Sequence, residues 1–142
     1  MIFENRLWED LQPGMSAELR RLLTADDFYV FAAASGNHNP LHLAAEDGDG
    51  DGRREAVAPG MFVASLISGV LGNVLPGPGT LYQMQNLTFH ERAHAGEELI
   101  ARVTVTAKQD DGSVILATEV RRMGDDALIV AGEARVMAPK TR

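Results

Sequence analysis

Between Ala101 and Ala107 the chain alternates, with Ala101, Val103, Val105 and Ala107 apolar and Arg102, Thr104 and Thr106 polar. A period of two puts successive side chains on opposite faces of a strand, so this stretch predicts a strand with one buried and one solvated face. Related segments run approximately over Leu81–His90, Glu98–Lys108, Val114–Arg122 and Leu128–Met137, punctuated by Ala95-Gly96, Asp110-Asp111-Gly112 and Gly124-Asp125. Antiparallel strands are expected, because only such strands are commonly wet on one side.

Upstream the period changes. Thr24 followed three residues later by Asp27 predicts a capped helix start, with Phe28, Val30, Phe31 and Ala34 as its apolar face and Gly36 as a left-handed C-terminal cap. Asn39-Pro40 is expected to end any helical continuation, leaving Ser35 to His42 as a structured turn. The acidic, glycine-rich stretch about 46–54 cannot feed a core and is expected to be a mobile loop. Its Asp47, Asp49, Asp51 and Gly52 match the first half of a calcium loop, but the twelfth position, which must supply a bidentate carboxylate, is Ala58. No metal is expected there.

From Met61 to Leu75 the chain is apolar on nearly every helical face, which predicts a helix buried on all sides, with Gly69 and Gly72 admitting close strands. Pro76-Gly77-Pro78-Gly79 stops it in a rigid turn that lacks the amides and the Lys-Ser/Thr of a phosphate cradle. The sum is an α+β arrangement in which an antiparallel sheet of about five or six strands wraps one long helix. Such a sheet keeps free edges, so pairing with a second copy as a homodimer is expected.

Composition narrows the partners. The 142 residues suit one domain, 1–142, and 45% hydrophobic with 23% charged residues is globular rather than disordered. A formal charge of −7 argues against nucleic acid, which demands a basic patch. It does not exclude the phosphates of coenzyme A, which a few local cations can hold, with Arg53, Arg54 and Lys108 as candidates. Cysteine is absent, so thiolate zinc and cysteine nucleophiles fall away. Acids within the first ten residues and an apolar run of only about 15 residues predict neither a signal peptide nor a membrane span, and a cytoplasmic protein is expected.

Read in order, Ser35-Gly36-Asn37-His38-Asn39-Pro40-Leu41-His42, Val57-Ala58-Pro59-Gly60-Met61, Ala64-Ser65-Leu66-Ile67-Ser68 and Leu75-Pro76-Gly77-Pro78-Gly79-Thr80-Leu81-Tyr82 resemble the MaoC-like family of (R)-specific enoyl-CoA hydratases and dehydratases. Leu87-Thr88-Phe89, Gly96-Glu97 and Gly132-Glu133-Ala134 extend the likeness over nearly the whole chain. The resemblance implies a hot-dog fold, usually dimeric, acting on trans-2-enoyl-CoA thioesters with no cofactor beyond the coenzyme A of the substrate. It implies that His42 is the motif histidine acting on water, that Gly60 offers its amide to the thioester oxygen, and that Ser68 faces the site. Asn39, Met61 and Phe62 join Ser68 as expected substrate-binding residues beside the start of the long helix.

Adding water to a conjugated thioester needs a base for the water, an acid for the enolate carbon and a donor for the oxygen. The family pattern, S-G-D-x-N-P-x-H, supplies an aspartate where this chain has Asn37. A carboxamide can orient water but cannot take its proton at neutral pH. Three readings stay open: His42 works alone with Asn37 positioning the water, His38 takes over proton transfer, or the site binds acyl-CoA without turnover, or functions only with a partner, as a binding or regulatory module. Another hot-dog thioester activity completes the alternatives. Without the motif, His42 reads as a turn residue, His38, His90 and His94 as surface or strand residues, and Ser65 and Ser68 as hydroxyls bonded to the preceding helical turn. No G-x-S-x-G elbow surrounds either serine.

Overall fold

A computed structural model describes residues 4–43 and 56–142. The acidic loop about 46–54, with Arg53 and Arg54, lies outside the described residues. The elements are β1 (Ser16–Leu22), α1 (Ala25–Ser35), α2 (Pro40–Leu43), α3 (Gly60–Asn73), β2 (Leu81–Gln85), β3 (Thr88–Phe89), β4 (Glu98–Lys108), β5 (Ser113–Arg122) and β6 (Leu128–Met137). Six strands form one antiparallel sheet in the order β1-β4-β5-β6-β2, with β3 also on β6.

The period-two reading of β4 holds as far as Val105, with Leu99, Ala101, Val103 and Val105 buried, whereas Ala107 is only half-buried because the pairing with β5 slips after Val105. They meet Val114, Leu116 and Val120 of β5 and Val130, Ala134 and Val136 of β6 in one core. Into the concave side of this sheet α3 sends Val63, Leu66, Ile67, Val70 and Leu71. Burying each such side chain contributes roughly 1.5–3 kcal/mol, so the helix is held mainly by this face rather than by intrinsic propensity. Gly69 lets Leu19 of β1 approach, since a Cβ there would lie 3.3 Å from its Cδ2, whereas Gly72 faces open space.

The helix is not buried on all sides. Met61, Ser65, Ser68 and Gly72 form an exposed stripe at helical spacing, Met61 being 60% exposed. Three of these four are small or polar, which an average over all helical faces obscures. The sheet also contains an element that strand patterning passed over, β1, whose SAELRRL carries charge at Glu18, Arg20 and Arg21 and alternates half-buried with exposed positions. Among the described residues it is an edge strand, laddered on β4 alone. The expected single strand over Leu81–His90 is two, because the β2 pairing slips between Tyr82 and Met84 and the chain leaves the ladder at Asn86 and Leu87. At that corner the Asn86 carbonyl sits where any Cβ on Gly132 would be, so only glycine fits in β6.

α1 begins and ends as its caps predict. Asp27 N–H donates to Thr24 Oγ1 (3.2 Å), Thr24 N–H donates to Asp27 Oδ2 (2.9 Å), and Gly36 adopts φ +79°. Asn39-Pro40 does not exclude helix, however. Proline at a first helical position loses no intrahelical bond, and Asn39 Oδ1 caps by accepting from Leu41 N–H (3.1 Å), so Pro40–Leu43 closes one helical turn.

The Arg21 guanidinium donates twice to Asp27 (2.8 and 2.9 Å), and with the Thr24 bonds this holds the Asp27 carboxyl down at about 2. A depressed carboxyl pKa stabilises the fold above the unfolded value and loses that contribution as pH falls through the folded one. Asp27→Asn is therefore expected to lower unfolding free energy by about 1 kcal/mol at pH 7, because pair and cap are partly solvated. The difference from wild type should shrink between pH 4 and pH 2 in urea titrations; a gap of constant size would show that the charge is not the cause.

Candidate active site

Three pieces of chain meet behind the start of α3. The turn at 35–42 is built from its own side chains: Ser35 Oγ–H donates to Phe31 O (2.7 Å), Asn37 N–H to Ser35 Oγ (3.1 Å) and Asn39 N–H to Asn37 Oδ1 (3.1 Å). Asn37 thus closes an Asx turn through an oxygen that an aspartate would present equally well. The turn delivers His42 to residue 57, where its Nδ1 lies 2.8 Å from Val57 O, while Val57 N–H donates to Leu41 O (3.2 Å). A carbonyl only accepts, so this bond places the proton on Nδ1 and leaves the Nε2 lone pair as the basic position.

Three residues further on, Gly60 opens α3. Pro59 has no side chain that can cap, no side chain among the described residues caps the helix start, and the first intrahelical bond is Val63 N–H to Pro59 O (3.1 Å). The amides of Gly60, Met61 and Phe62 therefore precede the helical ladder, at the end where the dipole favours an anion. The Phe89 ring lies against Gly60, 2.9 Å from where a Cβ would stand.

Beside this helix runs an open groove of about 420 Å³ between the exposed stripe of α3 and β2, lined by Met61, Ser65, Ser68, Tyr82, Met84 and Leu87 among others. Tyr82 O–H donates to Gln85 Oε1 (2.8 Å), and Gln85 Nε2–H donates to Thr118 Oγ1 (2.9 Å), carrying a polar chain from groove to core. Partial desolvation pushes the Tyr82 phenol up to about 12, so it stays a neutral donor. Ser65 Oγ–H donates to Phe62 O (2.5 Å), the back-bonding its sequence context suggests.

Of the residues singled out by sequence, the structure joins Asn37, Asn39 and His42 in the turn, with Val57 linking that turn to Gly60, and sets Met61 and Ser68 in the groove. Phe62 turns the other way, edge-on to Phe28 (5.9 Å) and Phe31 (5.7 Å). His38 and His90 are exposed, but His94 is buried at 4% exposure rather than lying on the surface. Lys108 stacks on Trp8 (4.0 Å) at the far end of β4 instead of joining the groove. Val57, Tyr82, Gln85 and Phe89 carry no motif chemistry of their own. Their only signal was membership of matched segments, Val57 in Val57-Ala58-Pro59-Gly60-Met61, Tyr82 at the end of the segment from Leu75 and Phe89 in Leu87-Thr88-Phe89, while Gln85 had none.

The family model for the MaoC like domain matches residues 10–122. The chain belongs to the MaoC-like family. Among its MaoC-like relatives, the (R)-specific enoyl-CoA hydratase of Aeromonas caviae is 38% identical, over 92% of this chain and 98% of that protein. The enzyme of the same name from Rhodospirillum rubrum is 33% identical over 93% and 91%. The unliganded R-hydratase of Pseudomonas aeruginosa superposes with a TM-score of 0.88 at 34% identity, covering 96% of this chain and 88% of that one. The A. caviae (R)-hydratase gives 0.86, covering 92% and 99%. The sheet wrapped on α3 is thus the hot-dog fold that these hydratases share, as the MaoC-like resemblance implied. No helix among the described residues is long and apolar enough to cross a membrane.

Gly60→Ala would press on the Phe89 ring, which is 48% exposed and free to turn. A double-mutant cycle of Gly60→Ala with Phe89→Ala is expected to show coupling of about 0.5–1.5 kcal/mol in unfolding free energy, the alanine at 60 being tolerated better once the ring is gone. Strict additivity would mean that the ring does not rest on the helix start.

Proposed function

We propose that this MaoC-like protein is a hydro-lyase of the (R)-specific enoyl-CoA hydratase type, in which His42 is the sole acid/base and Asn37 only orients the water. The observation that carries the reading is the Nδ1 contact of His42 with Val57 O, three residues before the unladdered amide of Gly60. In this reaction Nε2 of His42 takes a proton from water as the water oxygen bonds to C3 of the enoyl thioester. The C2–C3 π pair moves toward the thioester oxygen, which accepts from Gly60 N–H. The imidazolium then returns a proton to C2, the enolate collapses, and the neutral ring is restored. A single group that takes and gives the proton enforces addition on one face.

The substrate is an acyl-CoA thioester, as the names of the A. caviae and R. rubrum relatives suggest. The site needs no cofactor beyond the coenzyme A that the substrate brings. Asn39, Met61, Phe62 and Ser68 shape its surroundings, Asn39 by capping α2, Phe62 by fixing α3 against α1, Met61 and Ser68 from the groove. The protein works as a homodimer joined along β2. That strand is a sheet edge on which Leu81, Tyr82 and Met84 are 66%, 44% and 36% exposed, and an antiparallel two-fold pairing would cover all three at once.

Asn37 also favours a second reading, acyl-CoA binding without turnover, since half of the family's acid/base pair is replaced. Following the loss of enoyl absorbance with crotonyl-CoA separates the two. Measurable hydration by the native protein, reduced by about 10²-fold or more in His42→Ala and raised by about 10²–10⁴-fold in Asn37→Asp, supports the enzyme. An inert native protein that still binds a non-reactive acyl-CoA in calorimetric titration, and gains activity only as Asn37→Asp, supports the binding module.

For the assembly, light scattering should give about twice the chain mass of 15.3 kDa, falling to the single-chain mass in Leu81→Asp. A native protein running as one chain would remove the dimer.

A further inference from the structure

One charged cluster takes no part in this chemistry. The Glu97 carboxylate is bridged on both oxygens, with Oε1 2.9 Å from His94 Nδ1 and Oε2 accepting from Arg122 Nη1 (2.9 Å). Arg122 also donates to Glu91 Oε2 (3.0 Å), Asp125 Oδ1 (3.2 Å) and Arg92 O (3.4 Å). The side chains of Arg122, Glu97 and His94 are only 15%, 14% and 5% exposed. Withdrawing such charges from water is costly, and an apolar set of the same volume is often at least as stable, so the cluster is weak as a stability device and asks for another role.

Its position supplies one. Arg122, at the end of β5, grips the 91–97 segment by side chain and backbone together. That segment is laid along 56–58: Ala58 N–H donates to Ala93 O (2.7 Å), Ala95 N–H donates to Ala56 O (3.0 Å), and Val57 faces His94 between them. The other edge of Val57 holds Leu41 O and the His42 ring. The linkage therefore runs from the Arg122 guanidinium through Glu97 to His94, across the Ala58–Ala93 and Ala95–Ala56 backbone bonds that flank the His94/Val57 pair, and from Val57 O to the imidazole.

We infer that Arg122, Glu97 and His94 are positioning residues, which fix residue 57 so that His42 keeps its proton on Nδ1 and its ring in register with the Gly60 amide. This rests on the reading of His42 as the acid/base. A displacement of about 1 Å in a reacting group can cost about 10²-fold in rate, so the effect is expected in kcat rather than in substrate binding.

The isosteric Glu97→Gln, made in the full chain, removes the bridging charge. Its expected signature is a fall in kcat for crotonyl-CoA hydration of about 10–100-fold with KM within about twofold. Imidazole ¹⁵N spectra of His42 should move from one Nδ1–H tautomer to a mixture. A folded Glu97→Gln protein that keeps both the native His42 spectrum and the native kcat overturns the inference, whatever its melting temperature. Should Glu97→Gln not fold, His94→Gln, which keeps the Glu97–Arg122 pair, and Arg122→Lys, which keeps the charge but loses the fork, are judged by the same two readouts. If the native protein lacks turnover, the hydratase reading fails by itself, while the His42 spectrum still decides whether this cluster governs the ring.

Discussion

Residues 56–58 are hydrogen-bonded along both edges, to the 93–95 segment on one side and to α2 and the His42 ring on the other. Buried backbone must find partners, and on the second edge those partners, Leu41 and His42, belong to the candidate site. The Val57 carbonyl settles which ring nitrogen of His42 carries the proton, and two residues later Pro59 precedes α3 with no side-chain cap among the described residues. Rotating this short segment would move the imidazole and the Gly60 amide together. In the proposed reaction these are the base and the oxyanion donor, and two groups that answer to one piece of backbone hold their separation better than two on independent loops.

The segment is rigid only because of what lies beneath it. Ala56, Val57 and Ala58 are buried, and Ala56 and Ala58 belong to the core made by α3 and the inner faces of β4, β5 and β6. α3 serves two surfaces at once. Val63, Ile67 and Val70 anchor it to the sheet, while Met61, Ser65 and Ser68 remain toward the groove and β2. Small and polar residues on that second stripe are what keep a groove open where larger apolar side chains would fill it.

Asn37 shows how a local turn and a reaction can be separated within one residue. Its Oδ1 closes the Asx turn with Asn39 N–H, a bond that either an amide or a carboxylate makes, so the loop that carries His42 forms regardless. What the amide lacks is the ability to take up a proton. The turn therefore forms in this chain with an amide at position 37, and in the proposed reaction the burden of proton transfer passes to the imidazole.

Much of this was legible in the residues. Alternation revealed β4, β5 and β6 because each has one wet face, and Thr24, Asp27 and Gly36 marked the ends of α1 because caps act through neighbours in sequence. The ordered motifs named the family, and with it His42, Gly60 and the anomaly at Asn37. The chain order alone did not disclose β1, whose charged residues hide its half-buried alternation, nor the helical turn that Pro40 starts, nor the open stripe on α3. Nor could it show that Val57 orients His42 or that Glu97 joins His94 to Arg122. Those relations depend on which distant segments lie side by side, and apolar residues such as Val57 act there through backbone atoms that every residue shares, so no side-chain pattern announces them.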